Sequence, residues 1–157
     1  MATNIISGYF AAAGLPQGLC VHPGYVDYFT GALQHNNPDK LIVIVQGDNM
    51  QRKKYGFSAL PVYDIVKGIQ NWYNSLEISK PALYIIINRK PTISKTLKKI
   101  RKSLPDDELY LVKDSDRNVE NMPSDELSAL FDNDIKFTYL GNEKKASSGI
   151  LIGAIKQ

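Results

Sequence analysis

Five short runs of apolar, largely β-branched residues punctuate the chain, and patterns of helical period separate them. The runs Asn4–Tyr9, Leu41–Gln46, Ala82–Ile87, Leu109–Val112 and Ile135–Tyr139 read as strands. They lack the apolar–polar alternation of half-solvated strands, as expected when both faces of a sheet are covered. Helices are predicted over Tyr25–Gln34, Pro61–Tyr73, Thr92–Ser103 and Ser124–Phe131, with a last one over Ser147–Ile155. Pro23 suits the entry to the first. The third places Ile93, Leu97, Ile100 and Leu104 on one face. Ser124 is the cap candidate of the fourth, ahead of Asp125 and Glu126. The stretch Gln46–Lys54 reads as a basic-polar loop. Strand–helix alternation implies a parallel α/β sheet. Ligands of such sheets sit at the carboxyl ends of the strands, where the strand order reverses. That rule gathers Tyr9–Tyr25, Gln46–Lys54 and Val112–Arg117 around one crevice.

Composition narrows the class without naming a chemistry. At 157 residues the expectation is one domain, residues 1–157, large enough to bury a real core. No apolar run reaches the length of a membrane span, so no membrane partner is expected. The start of the chain lacks a basic segment followed by an apolar one, so no signal peptide is read. The one cysteine, Cys20, excludes an internal disulfide and fits a reducing, cytoplasmic setting. The net charge of +3 is too mild to argue for nucleic acid. Lys95, Lys98, Lys99, Arg101 and Lys102 do cluster on one predicted helix, but opposite its apolar face, where charges are ordinarily solvated.

The candidate chemistry lies near the start of the chain. Ile5-Ile6-Ser7-Gly8-Tyr9-Phe10 runs into a loop and then His22-Pro23-Gly24-Tyr25-Val26-Asp27-Tyr28-Phe29. A strand that ends in a glycine turn and feeds a helix opening on His-x-Gly can build a phosphate site. The helix start offers unpaired N–H groups and positive dipole, and the imidazole of His22 adds a donor. His35, at the far end of that helix, suits a solvated position favoured by the dipole. Three later segments add groups of the same kind. Gln46-Gly47-Asp48-Asn49-Met50-Gln51-Arg52-Lys53-Lys54 brings cations directly after the second strand. Lys113-Asp114-Ser115-Asp116-Arg117-Asn118 follows the fourth strand. Gly141-Asn142-Glu143-Lys144-Lys145-Ala146-Ser147-Ser148 leads into the last predicted helix, where Ser147 and Ser148 can cap it and donate to a phosphate.

In this order the segments resemble the cytidylyltransferase-like nucleotidyltransferases. Their signature is Gly-Tyr/Thr-Phe-Asp/Asn, a short spacer, then His-x-Gly-His. They also carry a phosphate-contacting lysine after the second strand, a Lys-Gly-Gly-Asp-Arg segment and a Ser/Thr run opening the last helix. The Leu-Ile-Val-Ile-Val strand, the Lys-Lys pair and the Glu-Lys-x-x-Ser-Ser ending look most like the glycerol-phosphate and heptose-phosphate types. The resemblance implies a single Rossmann-like, three-layer α/β/α domain with a five-stranded parallel sheet. It implies transfer of a nucleotidyl group from CTP or ATP to a small phosphorylated alcohol or sugar, with release of pyrophosphate. Mg²⁺ would accompany the triphosphate, with no side chain assigned as a metal ligand, and homodimers are common in the family. Carried onto this chain, His22, Lys53 and Tyr25 occupy catalytic positions. Gly8, Tyr9, Phe10, Gly24, Asp48, Lys54, Asp116, Ser147 and Ser148 occupy nucleotide-binding ones.

Three departures cluster at the same place. Tyr25 stands where the second histidine belongs, and a phenol is neutral near pH 7. Losing one charge-assisted contact from the transition state costs about 10²-fold or more in rate. Ala11 replaces the acidic or amide residue after Phe10, and Ala11 through Val21 lengthen the spacer. Leu60-Pro61 leads to Val62-Tyr63-Asp64-Ile65, without the family's Glu-Arg. The alternative reading is therefore a catalytically impaired member that serves as a nucleotide-binding or protein-interaction module.

Overall fold

All five strands of the sheet run parallel, in the spatial order β3-β2-β1-β4-β5. The structure is a computed structural model that describes residues 1–10, 23–56, 61–113 and 122–140. Along the chain the elements are β1 (Ala2–Gly8), α1 (Pro23–Gln34), β2 (Lys40–Gln46), α2 (Asp48–Tyr55), α3 (Val62–Ser75), β3 (Ala82–Asn88), α4 (Ser94–Ser103), β4 (Glu108–Lys113), α5 (Ser124–Asp132) and β5 (Ile135–Tyr139). The expected Rossmann-like α/β fold with a five-stranded parallel sheet is what forms. The expected last helix, Ser147–Ile155, lies outside the described residues.

Adjacent side chains of a strand point to opposite faces, and here both faces are packed. Ile6, Leu41, Val43 and Val45 face a cluster with Phe29, Ile65, Ile69 and Trp72 from α1 and α3. Ile5, Ile42, Ile44 and Leu111 face the other way, against Ile93, Leu97, Ile100 and Leu130 from around α4 and α5. The unbroken apolar run of β2 is thus two interleaved faces. Each fully buried Ile, Leu or Phe contributes roughly 1.5–3 kcal/mol. On α4, Lys95, Lys98, Lys99 and Lys102 are exposed, as its amphipathic pattern requires. Arg101 folds back instead. Its guanidinium donates to the carbonyls of Asn133 (2.8 Å), Leu104 (2.9 Å), Asp107 (2.9 Å) and Asp134 (3.0 Å), and closes the turns that flank β4 and β5.

Several boundaries differ from the sequence reading, each for a local reason. Gln46–Lys54 is not a loop after Gln46: Asp48–Tyr55 forms α2. The fourth predicted helix is not capped by Ser124. Pro123 holds the N-cap position at φ −56°, with no side-chain cap, and Ser124 is the first helical residue. Pro61 does the same before α3, at φ −58°; proline's fixed φ suits that position. Thr92 lies outside α4. Its hydroxyl donates to the Asp125 carboxylate, and Ser94 donates to the same oxygen (3.2 Å), which ties the starts of α4 and α5 together. These bonds hold Asp125 below the usual carboxylate range, the Thr92 hydroxyl first. His35 is half-buried, its ring edge-on to Tyr110 at 5.9 Å between centroids.

The amino-terminal edge of the sheet is fixed by polar contacts. Asn4, fully buried on β1, donates to the carbonyls of Ala32 (2.8 Å) and His35 (2.7 Å). Those carbonyls belong to the end of α1, where a helix leaves acceptors unpaired. Asp107 accepts from Thr3 (2.9 Å) and forms an ion pair with Lys40 (2.9 Å). The Lys40 bond, then the Thr3 bond, hold the Asp107 carboxyl below its ordinary range. A depressed carboxylate stabilises the fold above its unfolded pKa of about 3.9 and loses that contribution as pH falls through the folded value. Asp107→Asn is therefore expected to lower the urea midpoint at pH 7. The gap to wild type should close as the pH drops below about 4. A gap of constant size from pH 7 to pH 3 would show that the ionised form is not the source.

Candidate functional site

The carboxyl end of β1 is shaped by one folded-back ring. Phe10 takes a left-handed backbone, φ 48°, and its side chain lies over Gly8. A Cβ at Gly8 would stand 3.1 Å from the Phe10 ring, so glycine is what lets the ring close. Phe10 is 2% exposed and packs against Tyr25 (5.6 Å between centroids), Phe29 (5.4 Å) and Tyr28 (6.3 Å). Tyr25, at the second-histidine position of the resemblance, is 6% exposed. Its ring is edge-on to Phe10 and joins the core on the α1 face. Tyr9 points elsewhere: Lys54 lies over its ring, 4.2 Å from the centroid.

Helix α2 carries the basic segment onto that turn. Gly47 gives it an extended N-cap. Gly47 N–H donates to Asn88 O (2.8 Å) and Asn49 donates to Arg89 O (2.9 Å), so the helix start is anchored to the end of β3. Gly56 ends it at φ 83°, with its N–H on Arg52 O, and Arg52, Lys53 and Lys54 fill the last turn, as the helix dipole favours. Gln51, buried, donates to Tyr9 O (2.9 Å) and Gln46 O (3.2 Å). Gln51 and Lys54 are three apart, hence on one helix face, and both meet Tyr9. Lys53 is exposed on another face. The Asp48 carboxylate accepts from Val62 N–H (2.9 Å) and thereby fixes the start of α3.

Behind α2, buried amides stitch β2 to β3. Asn88 donates to Gln46 Oε1 (2.9 Å) and Lys90 O (2.9 Å) and accepts from Thr96 (2.9 Å). Arg89 and Lys90 then emerge exposed. The other side of β1 is different. β1 pairs with β4 from Ala2↔Glu108 through Ile5↔Leu111, although β1 runs on to Gly8 and β4 to Lys113. The sheet opens there. Tyr28 spans the opening: its hydroxyl donates to Val112 O (2.6 Å) and accepts from Ser7 N–H (3.4 Å). Lys113, 9% exposed, donates to Ser7 Oγ (2.8 Å).

Of the residues expected at the carboxyl ends of the strands, Gly8 ends β1, Tyr9 follows it beneath Lys54, Asp48 opens α2, and Lys53 is on an outer face. Gly24 lies in the first turn of α1. Phe10 and Tyr25 turn into the core. His22, Asp116, Ser147 and Ser148 lie outside the described residues. Among the described residues no three His, Cys, Asp or Glu side chains gather as a metal site, and no helix is long and apolar enough to cross a membrane. Sequence reasoning quoted Ser7, Gln51 and Lys113 within its candidate segments without giving them a role of their own, and set Tyr28 beside the proposed site. Tyr28 is three residues from Tyr25 and so shares its helix face, a signal that was legible. Gln51 and Ser7 carry none.

No protein-family model matches the chain, and no curated protein does either. Among solved structures, the fold is similar to that of a lipopolysaccharide core biosynthesis protein from Thermoplasma volcanium. The TM-score is 0.57 at 15% identity, over 88% of this chain and 93% of that one.

The Tyr28 hydroxyl serves backbone groups that the open sheet leaves without a strand partner. Tyr28→Phe keeps the ring and removes that service. It is expected to cost about 1–3 kcal/mol, read as a shift of the denaturant midpoint at constant slope. An unchanged midpoint would mean that Ser7 N–H and Val112 O do not depend on it.

Proposed function

We propose that this chain is a nucleotidyltransferase of the cytidylyltransferase-like kind. It takes CTP or ATP, accompanied by Mg²⁺, and a small phosphorylated alcohol or sugar. An acceptor phosphate oxygen forms a bond to the α-phosphorus, the bond from that phosphorus to the α–β bridging oxygen breaks, and pyrophosphate leaves. No covalent intermediate on the protein is needed, because positioning and charge neutralisation carry such a reaction.

The observation that carries this reading is the arrival of a basic helix at the ligand end of a parallel sheet. Gln51 and Lys54 fasten α2 to Tyr9, just where β1 ends, and the sheet opens on the other side of β1. On this proposal Lys54, with Lys53, neutralises the leaving pyrophosphate. His22, Gly24 and the start of α1 hold phosphate oxygens, as do Ser147 and Ser148, and Asp116 contacts the nucleotide. The Thermoplasma volcanium protein of similar fold is described by its role in lipopolysaccharide core biosynthesis, and a phosphorylated sugar is the acceptor class that fits such a role. The same proposal expects a homodimer in the cytoplasm.

One observation favours a second reading. Tyr25 packs into the aromatic core where the resembling enzymes place an imidazole. A chain that binds nucleotide without transferring it, or binds a protein partner, would tolerate that replacement.

Calorimetric titration with CTP and with ATP, each with and without Mg²⁺, separates the two. Micromolar binding of one triphosphate, followed by pyrophosphate release with a phosphorylated acceptor, is the expected result. Binding without release across acceptors would leave the nucleotide-binding module. No heat from a folded sample would remove the nucleotide altogether. Lys54→Met is expected to weaken triphosphate binding about tenfold or more, the worth of one charged hydrogen bond. Lys53→Met, on the outer face of α2, should weaken it less. Equal effects would mean that the Tyr9-facing side of α2 does not face the ligand.

A further inference from the structure

We infer that the outer edge of β3 is the docking surface for a second copy of this chain, the two β3 strands pairing antiparallel about a two-fold axis at Ile85. The inference takes up the homodimer expected above and gives it a surface. The transfer chemistry does not rest on it.

The first ground is which backbone groups face outward. β3 is the last strand on its side of the sheet. The N–H and C=O of one strand residue point to the same side, and successive residues alternate. Ala82 N–H donates to Asp39 O (3.2 Å) and Asn88 O accepts from Gly47 N–H (2.8 Å), so both residues point toward β2. Leu83, Ile85 and Ile87 have the opposite parity and turn their N–H and C=O away from the sheet. The next positions of that parity are closed. Pro81 has no N–H, and its carbonyl accepts from the Tyr73 hydroxyl. Arg89 O accepts from Asn49 (2.9 Å). The open edge therefore runs from Leu83 to Ile87, with Ile85 at its centre.

The second ground is that this edge complements itself. With the axis at Ile85, Ile85 meets Ile85 of the second copy and Leu83 meets Ile87. Each is a pair in which the two residues exchange both N–H···O bonds, so every group of the open edge finds a partner. A register shifted either way sets Ile87 against Pro81 or Leu83 against Arg89, and bonds are lost. The side chains agree with the backbone. Leu83, Ile85 and Ile87 lie half-buried on the face covered by α1 and α3, and pairing sets aliphatic chains against them. On the other face Tyr84, 51% exposed, comes opposite Ile86.

The third ground is charge. Sheet edges are ordinarily blunted by shortness or by charged side chains. β5, at the far edge, is blunted both ways, with five residues and an exposed Lys136 among them. β3 runs for seven residues without a charged side chain. Its charges lie just beyond its ends: Glu77 is exposed before it, and Arg89 and Lys90 are exposed after it. Antiparallel pairing brings the Glu77 end of each copy beside the Arg89–Lys90 end of the other, whereas parallel pairing would set like beside like. Lys80, at the Glu77 end, is folded back, its ammonium donating to Tyr73 O and Leu76 O (2.8 Å each). The edge thus fits a second copy of itself in one sense and one register.

The test uses the full chain in sedimentation equilibrium over a range of concentrations. The wild type is expected to show a monomer–dimer equilibrium. Ile85→Lys sets two ammonium groups opposite one another on the axis and is expected to leave a monomer with the circular dichroism of the wild type. Glu77→Arg should weaken the dimer about fivefold, the worth of an exposed ion pair, and adding Arg89→Glu should restore it. In a Cys20→Ser background, Ile85→Cys lies about 5.5 Å from its own copy between Cα atoms, within disulfide reach. It is expected to cross-link under mild oxidation, and Leu83→Cys, which faces Ile87, is not. A wild-type chain that stays monomeric at every concentration overturns the inference, leaves the edge to a strand of another protein, and leaves the nucleotide-binding reading to its own titrations. A folded Ile85→Lys that dimerises as the wild type does overturns it as well. If Ile85→Lys does not fold, the cross-link decides: a disulfide through Ile85→Cys supports the inference, and its absence from a dimeric sample overturns it. Assembly beyond the dimer also overturns it, because a two-fold pairing closes on itself.

Discussion

A parallel sheet that opens at one end exposes main-chain groups which would otherwise pair across the ladder, and buried groups of that kind must find partners. Here that need falls on Tyr28. Its ring packs with Phe10 and its hydroxyl reaches Val112 O on β4 and Ser7 N–H on β1. One side chain therefore couples α1 to both strands. The consequences spread from there. Ser7 faces Lys113 across the opening instead of continuing the ladder. Phe10 closes over Gly8 and buries the turn. Tyr9 is left outside, where α2 can dock on it.

The opposite side of β1 works by the opposite rule. There the strands pair to their ends: β2 and β3 run in register from Lys40↔Ala82 to Gln46↔Asn88. Past that register the chain needs another means of fixing geometry, and it uses buried amides. Gln46, Gln51 and Asn88 bond to one another or to backbone carbonyls. Such a network rigidifies when its members are satisfied. It makes α2 a fixed shelf for its cations, and a shelf positions charge better than a loop can. The crevice thus has one wall set by hydrogen-bonded amides and another set by an aromatic hydroxyl.

Much of this fold was legible because it depends on period and punctuation. Short, β-branched runs such as Leu-Ile-Val-Ile-Val suit strands covered on both sides, and the intervening amphipathic segments suit their covers. Helix α2 was not legible. Asp-Asn-Met-Gln-Arg-Lys-Lys-Tyr spans two turns, and Met50 is its one aliphatic residue. Its inward face is completed by Gln51, whose burial is decided by a tertiary contact with Tyr9. Ser124 looked like a cap because its hydroxyl could serve as one, yet Pro123 already fixes the backbone at that point. The site was legible in its neighbourhood more than in its members. The strand-end rule pointed to the region where Tyr9 and Lys54 meet. Nothing local to Val-Lys-Asp says that Lys113 is buried and paired with a residue more than a hundred positions earlier, because only the parallel pairing of β1 and β4 brings them together.

Tyr25, where the resembling enzymes carry a histidine, serves the aromatic core of α1 here. An imidazole at that position would need water or an anion for its second nitrogen. A phenol ring beside Phe10 gains edge-to-face packing and buried area, so the aromatic core of α1 grows at the expense of a polar group in the crevice. Lys54 on α2 and Lys113 on β4 are each held by an oriented partner, a ring face and a hydroxyl.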